Sequence, residues 1–283
     1  YTTIVLAIVN ILLDYLLIFG NHGAPQMGVA GAALASVIAE ATALLYFIGY
    51  TFVTVRFKDY DLFSFRKPNL KRLMAILKVA IPIMMQQFIS LSVWFIFFLF
   101  IEKLGEMALA VSNIIRSVYV ILMIPIWGFA TATNTLVSYI IGLKKQDQVL
   151  SLIYKITGLT LIGVVSIVSM GVFFPEAILS IYTNDPLLIE MGRPVLSIVS
   201  VGVIFVGTGF IFFNGISGTG KTNVSLSLEI IVLSIYLAYT YIVINVFDAG
   251  LPMAWSSEIV YGTLMALVSI IYLKTGHWKK GDI

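Results

Sequence analysis

Apolar runs of membrane length alternate with short polar connections along almost the whole chain. Most runs are about 20 to 30 residues long, and a helix that rises 1.5 Å per residue crosses a hydrocarbon core of roughly 30 Å in about 20 residues. The runs lack the period-two alternation of membrane β-strands. The pattern therefore predicts an all-α, polytopic membrane helix bundle with about eight transmembrane helices, at residues 2–19, 27–55, 73–101, 107–142, 149–174, 187–216, 224–246 and 252–273.

The basic residues between these runs fall on alternate connections. The first, third, fifth and seventh connections together carry only Lys103. By the positive-inside rule, the basic connections lie in the cytoplasm, so we expect a multi-pass protein of the cell membrane with a cytoplasmic C-terminus. The basic residues of these connections and the tail are Arg56, Lys58, Arg66, Lys67, Lys71, Arg72, Lys144, Lys145, Lys221, Lys274, Lys279 and Lys280.

The longest and most charged connection, residues 56–72, predicts a linker between two helical bundles. Residues 1–55 would then be the last two helices of a first lobe, residues 73–275 a six-helix second lobe, and residues 276–283 a cytoplasmic tail. The chain starts at Tyr1, without an initiator Met or the basic region of a signal peptide. We expect that an N-terminal part of about four helices precedes it, because two matching lobes would need that number.

The composition excludes several classes of protein. Sixty per cent of the 283 residues are hydrophobic and 11% are charged, which is outside the range of soluble globular domains. There is no Cys, and the two His residues, His22 and His277, lie at opposite ends of the chain, so no metal centre is expected. Most basic residues lie in particular loops, a distribution that does not indicate a nucleic-acid partner. His and acidic residues do not cluster near an interface, which argues against a membrane-embedded enzyme.

Asn10 and Asp14 are one helical turn apart in an otherwise apolar segment. An acid in hydrocarbon costs about 2.5 to 3.5 kcal/mol on insertion scales, so such acids usually face a cavity and have a function. Depth counted from the outer turn matches Asp14 with Ser36, and Asn10 with Glu40, on the following helix. These four side chains offer hard oxygen ligands for Na⁺ or a relay for protons. The alternative is that Asp14 only hydrogen-bonds a neighbouring helix.

A second polar set lies in the third and fourth runs, near the helix-breaking residues Pro82 and Pro125. Arg116 could bind an anion or a carboxylate in a cavity, or it could cap a neighbouring helix end. The amides could equally serve only to hold helices together. The candidate residues for a substrate cavity are Gln86, Gln87, Asn113 and Arg116.

Residues 215–222, Gly-Ile-Ser-Gly-Thr-Gly-Lys-Thr, match the phosphate-loop pattern at every defined position. A phosphate loop follows a buried strand and begins a helix in a nucleotide-binding domain, whereas this segment joins two predicted membrane helices. We therefore expect no ATP binding and interpret the segment as a tight cytoplasmic turn whose glycines allow positive φ.

The order and spacing of several motifs resemble the multidrug and toxic compound extrusion (MATE) family of secondary transporters over nearly the whole chain. The resemblance rests on Asn10 and Asp14, the segment 27–36, Ile81-Pro82 with Gln86-Gln87, the segment 124–128 with Gly142, the segment 182–186, and the turn 218–222.

The resemblance implies a twelve-helix, two-lobe antiporter, of which this chain is similar to helices five to twelve. Such transporters export cationic or amphipathic compounds in exchange for Na⁺ or H⁺. Asn10 and Asp14 match the family's fifth-helix cation ligands, and Ser36 falls where a sixth-helix Thr contributes, with Glu40 as a candidate fourth member. Some members carry further acids on the seventh and tenth helices. Here Ser90 occupies the first position and residues 205–213 contain no acid, which favours coupling in the first lobe.

The expected partners are membrane lipid and small cationic or amphipathic compounds, with no cofactor beyond the coupling ion. A lipid-linked oligosaccharide flippase of related two-lobe fold is the alternative. A flippase needs a strongly cationic cavity for pyrophosphate, and Arg116 is the one central cation that the sequence offers. The oligomeric state is not predicted.

Overall fold

The structure is a computed structural model that describes residues 1–56 and 69–279. Every regular element in these two ranges is helical. The α-helices are α1 (Thr2–Leu17), α2 (Val29–Thr54), α3 (Leu70–Glu102), α4 (Glu106–Gly142), α5 (Val149–Phe173), α6 (Pro175–Leu179), α7 (Pro186–Gly218), α8 (Thr222–Asn245), α9 (Leu251–Trp255) and α10 (Ser257–Thr275).

The predicted all-α membrane bundle is confirmed, and the predicted spans end within three residues of the observed helices. Seven helical segments among the described residues are long and apolar enough to cross a membrane, with α9 and α10 counted as one segment, Leu251–Thr275. The first predicted span is shorter than expected, because α1 has 16 residues and the chain turns at Gly20, which has a φ of 71°. The five-residue helix α6 was not predicted.

The chain forms two compact units, Tyr1–Pro68 and Asn69–Ile283, and each is described separately below. The boundary falls inside the region predicted as a linker, residues 56–72. Most of that linker lies outside the described residues, including Lys58, Arg66 and Lys67. The end of the predicted tail, with Lys280, also lies outside them.

In the N-terminal unit, α1 and α2 pack as an antiparallel hairpin. The backbone of Gly31 lies so close to α1 that a Cβ atom there would be 2.5 Å from the Leu17 carbonyl oxygen. The same carbonyl accepts a hydrogen bond of 2.8 Å from the Met27 amide. This contact fixes the register of the two helices, because only glycine permits so short a backbone approach.

In the C-terminal unit, α7 is the central helix and packs against α4, α5 and α10, while α3 packs on α8. Small residues allow the close contact of α7 with α10. A Cβ atom at Gly262 would lie 2.4 Å from the Val206 amide nitrogen, and one at Gly209 would lie 2.9 Å from the Gly262 carbonyl oxygen. Close backbone approach through small residues is typical of helix packing in membranes.

The segment 215–222 runs from the last turn of α7 into α8, and the residues before it are helical rather than the strand that a phosphate loop follows. Gly220, with a φ of 78°, makes the turn. Gly218 has a different role, since its carbonyl accepts a hydrogen bond of 2.9 Å from the Ser138 hydroxyl and a Cβ atom there would lie 2.6 Å from the Asn134 carbonyl oxygen. The explanation by positive φ therefore holds for Gly220, whereas Gly218 is a helix-packing position.

Candidate functional site

Two polar residues of the N-terminal unit, Asn10 and Ser36, meet between α1 and α2. The Asn10 side-chain amide donates a long hydrogen bond of 3.5 Å to the Ser36 hydroxyl. Asp14 lies one turn along α1, and its Oδ1 atom is buried without a hydrogen-bond partner in the described part of the chain. Leaving a buried carboxylate oxygen without a partner is costly, so this atom is an open position for a proton or a cation.

The observed pairing of α1 with α2 differs by about one helical turn from the pairing predicted by counting residues from the outer turn. That match paired Asp14 with Ser36 and Asn10 with Glu40, whereas the structure sets Asn10 against Ser36. The difference arises because the close contact between Leu17 and Gly31 determines which residues of α1 and α2 lie side by side. Counting residues from the turn cannot reveal that contact. Glu40 is exposed, and its carboxylate makes no hydrogen bond or ion pair with residues 1–56 or 69–279, so the structure does not bring it to the Asn10 group.

The C-terminal unit contains a cavity of about 480 Å³ between α3, α4, α7, α8 and α10. Aromatic rings form much of its wall, among them those of Trp94, Trp127, Phe210 and Phe213. Two acidic residues, Glu229 and Glu258, also line it. An apolar cavity of this size with a few polar groups is typical of small-molecule sites, which measure roughly 300 to 1,000 Å³.

Glu229, on α8, has one oxygen with partners and one without. Its Oε1 atom accepts hydrogen bonds from the Ser90 hydroxyl at 2.8 Å and from the Tyr261 hydroxyl at 3.2 Å. Its Oε2 atom is buried and has no partner among the residues that the structure describes. The whole residue is only 2% exposed.

Glu258, on α10, has partners on both oxygens. The Tyr119 hydroxyl donates to Oε2 at 2.8 Å, and the Tyr236 hydroxyl donates to Oε1 at 3.1 Å. The rings of Tyr236 and Tyr261 are in edge-to-face contact at 5.9 Å, so the groups around the two acids pack on each other. Glu258 is therefore held in place, whereas Glu229 keeps one oxygen free for a ligand.

The MatE family model matches residues 82–242, which is more than half of the chain. This chain belongs to the MatE family. The seven membrane-length helical segments of the described residues make it a multi-pass membrane protein. Members of the MatE family are transporters and not enzymes.

Relatives of this MATE chain carry names that refer to drug resistance. The probable multidrug resistance protein NorM of Thermotoga maritima is 27% identical over 276 residues, which are 96% of this chain and 58% of that protein. The multidrug export protein MepA of Staphylococcus aureus is 26% identical over 275 residues, which are 93% of this chain and 57% of that protein. The chain thus spans less than two thirds of these relatives.

Solved MATE structures share its fold. A crystal structure of MATE in the straight conformation matches 99% of this chain and 63% of its own, with a TM-score of 0.85 and 20% sequence identity. An outward-facing multidrug resistance MATE family transporter of the MOP superfamily matches 99% of this chain and 62% of its own, with a TM-score of 0.86 and 19% identity. The helices of this chain therefore adopt the MATE fold.

Of the four residues predicted from the sequence as candidates for a substrate cavity, two line the cavity described above and two do not. Gln86 and Gln87 line the cavity that contains the two acids. Asn113 and Arg116 do not line this cavity, and their assignment to a substrate cavity stays a prediction. The Asn113 amide donates to the Leu109 carbonyl of its own helix at 3.0 Å. The exposed Arg116 guanidinium lies 5.2 Å from the centre of the Phe98 ring, which provides the cation–π contact that an Arg on an apolar face favours.

Glu229 and Glu258 were missed when the sequence of this MATE chain was interpreted. The resemblance directs attention to acids at the position of Ser90 and within residues 205–213. In the structure, the acids of the cavity lie on α8 and α10 instead. Ser90 is still part of the site, because its hydroxyl contacts Glu229. The available signal was an acidic residue inside each of the last two predicted spans, since acids within a membrane helix usually mark a functional site.

Proposed function

We propose that this chain is part of a secondary antiporter of the cell membrane that exports cationic or amphipathic compounds in exchange for Na⁺ or H⁺. The buried Oδ1 atom of Asp14, which has no partner within the described residues, is the observation that supports ion coupling most directly. Membership of the MatE family and the names of NorM and MepA support drug export. The alternation of basic connections supports a cytoplasmic C-terminus.

Asn10, Asp14 and Ser36 form the proposed coupling site. Their oxygen atoms are the hard ligands that alkali cations favour, and Asp14 can instead take up a proton. Either event satisfies the open Asp14 oxygen and so stabilises the conformation in which it occurs. A ligand that binds one conformation better shifts the equilibrium toward it, which is how the ion would drive the transporter between its inward and outward states.

The cavity of the C-terminal unit has the room and the lining for the exported compound. Aromatic rings suit an amphipathic body, and the described residues that line the cavity include two acids but no Lys or Arg. This lining does not favour the alternative of a lipid-linked oligosaccharide flippase, because a pyrophosphate group needs cationic partners. Arg116, the one candidate cation for that role, lies outside the cavity on the ring of Phe98.

The substitution Asp14→Asn tests the coupling role, since it removes the titratable oxygen with almost no change in size. In cells that express the transporter containing this sequence, we expect the dependence of ethidium efflux on Na⁺ or pH to fall by about fivefold or more, the lower end of usual coupling energies. Efflux rates measured over a series of Na⁺ concentrations and pH values provide the readout.

Two further acid-to-amide substitutions serve as controls. Glu40→Gln tests an exposed acid of the same unit, and Asp248→Asn tests one in the connection before α9, where a φ of 47° suits Asn as well as Asp. Both should leave the ion dependence unchanged, and the result for Glu40 decides whether it is a fourth ligand. Ion dependence that is as strong in Asp14→Asn as in these two controls would exclude the proposed coupling site.

A further inference from the structure

The two acids of the C-terminal cavity differ in how many of their carboxylate oxygens have a hydrogen-bond partner. Each oxygen of Glu258 accepts a hydrogen bond from a tyrosine. In Glu229, only Oε1 accepts hydrogen bonds, one from Ser90 and one from Tyr261. Its Oε2 atom is buried without a partner in the described residues. A ligand that brings positive charge to Glu229 would remove the cost of the unpaired oxygen, whereas Glu258 needs no further partner.

The surroundings of Glu229 fit an organic cation better than an inorganic ion. An inorganic ion requires a close cage of oxygen ligands, whereas the hydrogen-bond partners of Glu229 among the described residues are two hydroxyls, those of Ser90 and Tyr261, and both already donate to Oε1. The cavity of about 480 Å³ is also far larger than one ion. Its aromatic wall, with Trp94 and Phe210, provides apolar packing and ring faces that attract an organic cation.

We infer that the carboxylate of Glu229, in the wall of this cavity, attracts the positive charge of the exported compound, while the aromatic wall packs on the apolar body. Ser90 and Tyr261 hold the carboxylate in position through Oε1. Glu258, fixed by Tyr119 and Tyr236, is a positioning residue of the same wall. This inference rests on the proposed function in so far as the exported compounds are cationic. It assigns recognition of their positive charge to Glu229 and not to Asp14, the proposed coupling residue.

Two probes of the same shape and opposite charge test this role. Tetraphenylphosphonium and tetraphenylborate carry four phenyl groups each, so a difference in their binding reports charge rather than size. In the purified transporter that contains this sequence, we expect Glu229→Gln to weaken tetraphenylphosphonium binding at least tenfold. Binding of tetraphenylborate should be unchanged or stronger, because a negative charge has been removed. Equilibrium binding of the radiolabelled probes gives both values of Kd without any ion gradient.

Matched variants separate a local charge effect from loss of the fold. Glu190→Gln removes an exposed acid from the same unit and should leave both affinities unchanged. Glu258→Gln should weaken tetraphenylphosphonium binding less than Glu229→Gln does. Glu229→Asp keeps the charge and should retain more of the binding than Glu229→Gln.

Three results would overturn the inference. One is that Glu229→Gln binds tetraphenylphosphonium as well as Glu190→Gln does. Another is that Glu229→Gln weakens both probes equally, which would indicate a collapsed cavity. The third is that Glu229→Gln loses binding of radioactive Na⁺ and keeps that of tetraphenylphosphonium, which would assign the site to an inorganic ion. Because binding is measured on purified protein, these results are independent of whether the protein exports drugs or couples through Asp14.

Discussion

Tyr119 and Tyr236 determine the environment of Glu258, because each hydroxyl donates to a different oxygen of its carboxylate. Both tyrosines and the acid are buried. Removing one donor therefore leaves a buried polar oxygen unpaired, which costs more than the net value of an ordinary hydrogen bond.

The substitution Tyr119→Phe is expected to lower the free energy of unfolding by about 1 to 3 kcal/mol, the usual cost of an unpaired buried group. The matched control is Tyr241→Phe, on an exposed ring in α8 whose hydroxyl has no hydrogen-bond partner in the described ranges. That control should stay within about 0.5 kcal/mol of the original protein. Denaturant unfolding in detergent measures both, and equal stabilities would show that Tyr119 does not hold Glu258.

The two polar sites differed in how far the sequence revealed them. Asn10 and Asp14 are four residues apart on one helix, so a local pattern was enough to find them. The contacts of Ser90 with Glu229 and of Tyr119 with Glu258 each join residues 139 positions apart. Such pairs depend on which helix faces which, and that information is not present in any single span.

Among the helices, the contact of α7 with α10 is the one on which the cavity most depends, because α10 carries Glu258 and Tyr261. The helix boundaries were predictable from the sequence, since apolar run length and Gly or Pro signals are local. The register of one helix against another was not, as the one-turn error between α1 and α2 shows. Register depends on single close contacts such as Gly31 with Leu17 or Gly262 with Val206.

Replacing Gly262 by Ala tests the α7–α10 contact. A Cβ atom there would lie 2.4 Å from the backbone of Val206, so the helices must separate. We expect a loss of about 1 to 3 kcal/mol in the free energy of unfolding, as for other overpacked sites. Thermal unfolding followed by tryptophan fluorescence measures the loss.

The matched control is Gly163→Ala on α5, where an added Cβ atom meets open space. That change should stabilise the protein by about 0.5 to 1 kcal/mol, because Ala favours a helix over Gly. If both variants lose stability equally, the close contact at Gly262 is not what holds α10 in place.

In the whole molecule, each compact unit has a different proposed task. The N-terminal unit has the open carboxylate oxygen of Asp14, which we propose to couple transport to an ion. The C-terminal unit has the cavity and Glu229, which we propose to bind the exported cation. Substitutions in the two units should therefore affect different steps of transport.

The most direct test is the flux of tetraphenylphosphonium into proteoliposomes that contain the transporter and are given a Na⁺ or proton gradient. We expect the gradient to drive the compound in the opposite direction to the ion. We also expect Asp14→Asn to reduce this response by about fivefold or more, while its affinity for tetraphenylphosphonium stays unchanged. Gradient-driven flux that is as fast in Asp14→Asn as in the original protein would contradict the central claim that the ion acts through Asp14.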